Sequence, residues 1–358
     1  MSVSIQSGIM MGLREELSSH HSTHGLIKHL QIDLRQLSGL ETLSGLEGVE
    51  SLCLYGADAP SLDPLRGMGS LRSLELDGCQ TVDIAPLAGL PSLESLSLPD
   101  SVAGLQILEK LPGLRRLSMG EYSHELEGLD LSLSALCINA PVASLRAIAS
   151  MTQLESLHLG HRGSNVSDLS ELVNLSCLKR LCVPSARVDC VRALGSLPGL
   201  EALDLSGNGG LEGLEGLEGL EGLVLLNLNN TAAESLAPLS GLVALRELRL
   251  RSTKVRTLRD ILGCSRLERL YLERSQLESL EGVSALSMLK TLWCFGTRVS
   301  DLSPLANMHC LEELNIAGLG TLSSGAVFET LGGLLRLDLK SSEVDAWPDE
   351  ACRVSVRS

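Results

Sequence analysis

The sequence predicts an α/β solenoid: short strand-and-turn units stacked side by side into one elongated domain. Three observations lead there. First, apolar residues return at a fixed interval. Leu245, Leu248 and Leu250 are followed by Leu267, Leu270 and Leu272, then Leu289, Leu292 and Cys294, then Leu311, Leu314 and Ile316, each set 22 residues after the last. Second, positions 4 and 6 of each set alternate with the period of a strand, so their side chains share one face. Third, a spacing of three follows, as in Val299, Leu302, Leu305 and Met308, and this suits a tight 3₁₀ turn. A unit this short cannot bury its apolar face alone, so the units must stack.

Taken in chain order, residues 1–25 read as an N-terminal capping or flexible segment. Met10–Leu17 is expected to form a short helix over the first repeat, because an exposed solenoid end needs a cover. Residues 26–358 hold about 15 repeats, whose first positions are Ile27, Val49, Leu71, Leu93, Leu114, Leu133, Leu154, Leu178, Leu200, Leu223, Leu245, Leu267, Leu289, Leu311 and Leu334. The interval narrows to 19 between Leu114 and Leu133 and widens to 24 between Leu154 and Leu178, so those joints are less regular. A shortened last unit begins at Ala351, with Val354 and Val356 in its next slots. That end is expected to stay uncapped and to want a cap or a partner.

The turns have their own chemistry. In Asp301-Leu302-Ser303-Pro304-Leu305 the carboxylate accepts from a free amide of the turn, and the proline sits where a missing donor costs little. Asp83-Ile84-Ala85-Pro86-Leu87 and Leu236-Ala237-Pro238-Leu239 repeat the device. Between Gly209 and Leu223, Leu211, Leu214, Leu217 and Leu220 are separated by Glu-Gly pairs. These leucines keep the three-residue rhythm, so the segment reads as more solenoid, not as a linker.

This pattern resembles the short leucine-rich-repeat class of about 22 residues, as in internalins and the leucine-rich-repeat regulatory subunit of protein phosphatase 1. It is also similar to the leucine-rich-repeat families of trypanosomatid protozoa. The resemblance spans about residues 26–340 and rests on structural positions. It implies a horseshoe with a parallel concave β-sheet and short 3₁₀ or turn segments on the convex side. It further implies a non-catalytic protein–protein interaction scaffold. A phosphatase-regulatory subunit is one version of that role, although the phosphatase-binding residues of that family do not match here one by one. A substrate-recognition subunit of a ubiquitin ligase is another, and would need a RING or F-box from outside these residues.

Composition narrows the function classes. The net charge of −15 argues against general nucleic-acid binding. The charge is uneven: residues 241–300 hold eleven Lys/Arg against six Asp/Glu, a local +5, and residues 301–358 hold four against nine, a local −5. The ten cysteines are scattered, several in repeat slots, with no Cys-x-x-Cys. Used as small apolar residues, they favour free thiols and a reducing, cytoplasmic setting, of which cytoskeletal association is one form. Met1–Ser19 lacks the apolar core of a secretory signal, and no apolar run reaches the ~18 residues of a membrane span. Asn165-Val166-Ser167, Asn174-Leu175-Ser176 and Asn229-Asn230-Thr231 match the glycosylation pattern, which without a signal is read as chance.

No catalytic constellation is evident. The chain has no Gly-x-x-x-x-Gly-Lys, no His-Glu-x-x-His and no Gly-x-Ser-x-Gly, and Gly207-Asn208-Gly209-Gly210 reads as a turn. His20, His21, His24 and His29 lie in a Ser/Thr-rich stretch without convergent partners and read as a solvated or capping segment, not a metal site. Neither cofactor nor metal is therefore expected. The informative positions are 3, 5 and 7, which turn away from the core. Of the seven aromatic residues, Tyr55, Tyr271, Trp293 and Phe295 occupy them, the last three in adjacent repeats. Arg249, Arg251, Arg269 and Glu273 share that face. Scarce aromatics gathered with arginine point to a binding hot spot for a protein partner with an acidic surface or peptide. Glu75, Asp77, Asp204, Asn227 and Asn229, with His158 and Cys182 between, form a second, polar stretch. Stacking of bases on Tyr271, Trp293 and Phe295 is the competing use of the aromatics, disfavoured by the overall acidity.

Overall fold

Alternate leucines drive the strands together. In each repeat, positions 4 and 6 turn to one side of a parallel sheet and the position-1 residue closes the core beneath them. The computed structural model describes residues 2–5, 28–36, 39–43, 46–56, 61–79, 81–120, 126, 128–142, 144–160, 164–344 and 355–357. The expected helix Met10–Leu17, His20, His21 and His24, the first-repeat Ile27, and Ala351 and Val354 lie outside the described residues. Every position-1 residue from Val49 to Leu334 is buried, none more than 6% exposed.

The chain divides into two compact units, Met1–His161 and Arg162–Ser358. In the first, the strands Ser2–Ile5, His29–Asp33, Ser51–Tyr55, Ser73–Asp77, Ser95–Leu98, Arg116–Met119, Ala135–Ile138 and Ser156–Leu159 pair in parallel, each with the next. In the second, nine strands follow the same rule: Arg180–Cys182, Ala202–Asp204, Leu225–Asn227, Glu247–Arg249, Arg269–Tyr271, Thr291–Trp293, Glu313–Asn315, Arg336–Asp338 and Ser355–Arg357. Their register is the one the leucines predict. Leu226, Leu248, Leu270, Leu292, Leu314 and Leu337 stand opposite one another in turn, each at most 2% exposed. Cys294 occupies a leucine slot as expected and is fully buried, which pushes its thiol up to about 12. Val356 pairs with Leu337 in the slot assigned to it.

Beyond the strands, most of the turns are 3₁₀. Ser303–Leu305, Ala85–Gly89 and Ala237–Leu239 each carry proline in the first two positions. The amide of Ser303 donates to Asp301 and that of Ala85 to Asp83, both at 2.9 Å, so each carboxylate holds the turn as predicted. Arg146–Ala149 is a single α-helical turn in the same role. The Glu-Gly stretch continues the solenoid: Leu211, Leu214, Leu217 and Leu220 are all buried, at most 1% exposed.

Two columns complete the strand exit. At position 8 the chain turns into the left-handed region, repeat after repeat: Ser185, Gly207, Asn230, Ser252, Arg274, Gly296, Gly318 and Ser341 all have positive φ between 55° and 76°. Position 9 then closes the turn with a buried hydroxyl. Thr231, Thr253 and Thr297 each donate at 2.7 Å to the carbonyl three residues back. In the repeat of Leu200 that slot holds Asn208, fully buried. Its Oδ1 accepts from the amides of Ala186 and Val188 and its Nδ2 donates to the carbonyls of Val183 and Leu205, at 2.7–2.9 Å.

Candidate interaction face

In the second unit, positions 3, 5 and 7 face away from the leucine core, and the register lines them into columns about 4.8 Å apart. At position 5 the column runs Asp204, Asn227, Arg249, Tyr271, Trp293, Asn315, Asp338. At position 3 it runs Glu247, Arg269, Thr291, Glu313, Arg336. Four of the seven residues singled out in the sequence, Arg249, Arg269, Tyr271 and Trp293, come together here in direct contact or through one neighbour.

Tyr271 and Trp293 meet edge to face, with ring centroids 5.2 Å apart and planes at 86°, the arrangement the ring quadrupoles prefer. The Arg249 guanidinium lies over the Tyr271 ring, 5.8 Å from its centroid, within cation–π range. Burial raises the Tyr271 phenol above its ordinary value, and the nearby Glu247 carboxylate adds to the effect. Glu247, not foreseen from the sequence, organises the arginines. Its carboxylate accepts from Nε of Arg249 at 2.6 Å and from Nε of Arg269 at 2.7 Å. The two guanidinium groups cover it, so it is only 6% exposed. Position arithmetic reveals it in retrospect: Glu247 shares a strand with Arg249 and faces Arg269 one repeat later.

The remaining three residues, Arg251, Glu273 and Phe295, differ in their surroundings. Arg251 is exposed; its amide donates to Asn229 Oδ1 at 2.8 Å, and among the described residues its side chain makes no ion pair. Glu273 lies at the same position one repeat further and is 7% exposed, with Arg251 and Arg249 the charges that act on it. Its Oε2 and the neighbouring Ser275 Oγ have no hydrogen-bond partner, and burial raises the carboxyl above its ordinary range. Phe295 follows at the same position of the next repeat, half-buried.

The basic island is largely neutralised from within. Arg246 and Lys290 share Glu268 at 2.7 and 3.1 Å. Arg256 and Arg298 share Glu278 at 3.4 and 3.6 Å, and Arg259 pairs with Glu281. The polar stretch before it is also self-bonded in part: Asn227 donates to Asp204 at 2.9 Å. Glu75, on a strand of the first unit, is exposed, and the side chain of Asp77 lies outside the described residues.

Two recesses lie in the second unit. One, about 350 Å³, opens on the C-terminal side of Trp293 between Glu313, Leu314, Asn315, Arg336, Leu337 and Asp338. The sequence reading missed it, because no single repeat contains more than a fragment of its wall. The other, about 650 Å³, is formed by the Glu-Gly stretch with Ala232, Glu234, Ser235, Ala237, Pro238 and Lys254. Among the described residues no group of three or more metal-ligating side chains converges, and no helix is long and apolar enough to cross a membrane. None of the nine described cysteines is in a disulfide.

Parallel strands stacked in 22-residue register with 3₁₀ turns opposite define the leucine-rich-repeat fold, and solved structures agree. An internalin from Listeria monocytogenes superposes with a TM-score of 0.68 at 23% identity, over 97% of this chain and 93% of its own. A leucine-rich-repeat protein from Leptospira interrogans superposes with a TM-score of 0.64 at 18% identity, over 97% of this chain and 96% of its own. A plant peptide hormone receptor, solved in complex with RGF2, gives 0.51 at 15% identity, over 88% of this chain and 62% of its own. Neither a protein-family model nor a curated protein matches the chain. The chain is thus a leucine-rich-repeat protein in fold, similar in structure to internalins.

Proposed function

We propose that the chain is a non-catalytic interaction module, acting in the cytoplasm, that binds a protein or peptide on the open face of its second unit. The observation that carries this reading is the contiguous array Arg249–Tyr271–Trp293. A chain with seven aromatic residues places two of them in ring contact on the face opposite its core. The core gains nothing from that placement, whereas tyrosine, tryptophan and arginine dominate binding hot spots. Arg251, Arg269, Glu273 and Phe295 complete the patch. The plant peptide hormone receptor of similar fold, solved in complex with RGF2, lends support to a protein or peptide ligand. An acidic segment is the matching partner chemistry, because Arg251 is exposed and makes no ion pair among the described residues and Arg249 and Arg269 outnumber the Glu247 they share.

The test is quantitative capture of partners from the native cell, with and without nuclease, by wild type and by Trp293→Ala and Trp293→Ala, Phe295→Ala variants whose folding is checked by circular dichroism. Trp293→Ala is expected to cost about 2 kcal/mol or more of binding. A folded double variant that keeps every partner at unchanged affinity overturns the reading. Loss of capture on nuclease treatment points instead to nucleic acid.

A further inference from the structure

We propose that the recess beside Trp293 receives the guanidinium group of an arginine carried by the partner, an inference that rests on the open-face reading above. Its volume of about 350 Å³ is at the small end of ligand pockets, roughly 300–1,000 Å³, and suits one side chain. Tyr271 meets Trp293 from the N-terminal side, and the recess opens on the C-terminal side, so the indole forms its wall. Two carboxylates, Glu313 and Asp338, face one guanidinium, Arg336. Arg336 is committed to Glu313 at 2.6 Å. Among the lining side chains the charge left over is that of Asp338, whose Oδ1 accepts from the Lys340 amide at 3.1 Å and which makes no ion pair among the described residues; Arg357 follows it in the same column. Asn315 likewise uses its Oδ1 on the Ala317 amide at 3.1 Å, leaving its Nδ2 for a ligand.

An indole wall with an uncompensated carboxylate selects a flat cation. A guanidinium stacks on tryptophan and forks onto a carboxylate; an ammonium supplies only the charge. An anion meets the unpaired Asp338 carboxylate, and an apolar group seals Asp338 away from water without a partner. The far side of the aromatic pair has the opposite sign, with Arg249, Arg251 and Arg269. The face is therefore polar end to end, and so is the segment that fits it. Asp338 stands four repeats from Arg249 in the same column, a distance of roughly 19 Å at about 4.8 Å per strand. An extended peptide at about 3.3 Å per residue covers this in about six residues. The partner segment thus carries an acidic residue at one end and an arginine about six positions away.

The experiment uses the full chain with ¹⁵N-labelled tryptophan, the indole signals of Trp293 and Trp347 being separated with a Trp347→Phe variant. The probes are acetyl-Gly-Arg-Gly-amide and its neutral counterpart with citrulline in place of arginine. The arginine peptide is expected to shift the Trp293 signal saturably, at least ten-fold more tightly than the citrulline peptide, and Asp338→Asn, which keeps the Oδ1 acceptor, is expected to remove that preference. Equal response to the two peptides, or a preference that survives Asp338→Asn, overturns the proposal. Failure of the broader reading is separate: a folded Trp293→Ala, Phe295→Ala variant that keeps its partners overturns the interface whatever the peptides show. Loss of partners in that variant without any arginine preference overturns the arginine subsite alone.

Discussion

Asn208 makes four hydrogen bonds to the backbone of two consecutive repeats from a fully buried side chain. Threonine hydroxyls fill the same slot in three later repeats, and Thr231, Thr253 and Thr297 each satisfy a single carbonyl. Asn208→Ala strands two amides and two carbonyls in the core, so it is expected to cost about 2–4 kcal/mol, read as a fall in the urea midpoint. Glu273 behaves in the opposite sense. Burial raises its carboxyl in the folded chain, so the folded state binds its proton more tightly than the unfolded state. Its contribution to stability is then fully present below the unfolded value, about 4.3, and is lost as pH rises through the folded one. Glu273→Gln is expected to flatten that dependence: wild type loses stability relative to the variant as pH is raised from the ordinary carboxylate range. Parallel urea titrations across that range check it, and curves that stay a constant distance apart refute it.

At the scale of the element, a strand here is only three residues long, as in Arg269–Tyr271, and owes its stability to its neighbours. Leu270 sits between Leu248 and Leu292 with no exposed surface. Leu270→Asp places an unpaired charge in that column and is expected to destabilise by about 4 kcal/mol or more. Because repeats couple chiefly to nearest neighbours, hydrogen exchange is expected to quicken first in the strands Glu247–Arg249 and Thr291–Trp293. Uniform exchange along the unit would show a more cooperative solenoid than the fold implies. The strand exits are similarly dictated by one dihedral: a left-handed residue at position 8 is what lets the chain leave the sheet and start its turn.

Over the whole molecule, charge decides how a partner arrives. The chain carries −15 with a local +5 in residues 241–300, yet most of those cations are paired with glutamates one repeat away. Long-range attraction is therefore modest, and what remains centres on Arg251 and on the excess of Arg249 and Arg269 over Glu247. Arg249→Glu, Arg251→Glu is expected to slow association about ten-fold with little change in dissociation, and the difference from wild type should shrink above ~0.15 M salt, where the Debye length is about 8 Å. Stopped-flow or surface-based kinetics at several salt concentrations measure this; an effect confined to dissociation would place these arginines in the desolvated contact instead.

Much of the molecule was determined by the sequence alone. The 22-residue period assigned the buried columns, from Leu226 through Leu337, because a period of two within a strand leaves one register in which every leucine is inside. It also placed Asp301 and Pro304 on a turn and put Tyr271 and Trp293 side by side, since equal positions in successive repeats become lattice neighbours. Only the tertiary structure decided what those neighbours do. That Glu247 clamps two arginines, that Glu273 is buried, and that Asn315, Arg336 and Asp338 wall a recess beside Trp293 depends on side-chain direction and on contacts between residues 22 to 45 positions apart. Periodicity states which face a residue is on. Where its charged atoms end depends on competition among partners from several repeats at once, and that balance is struck only when the repeats are stacked.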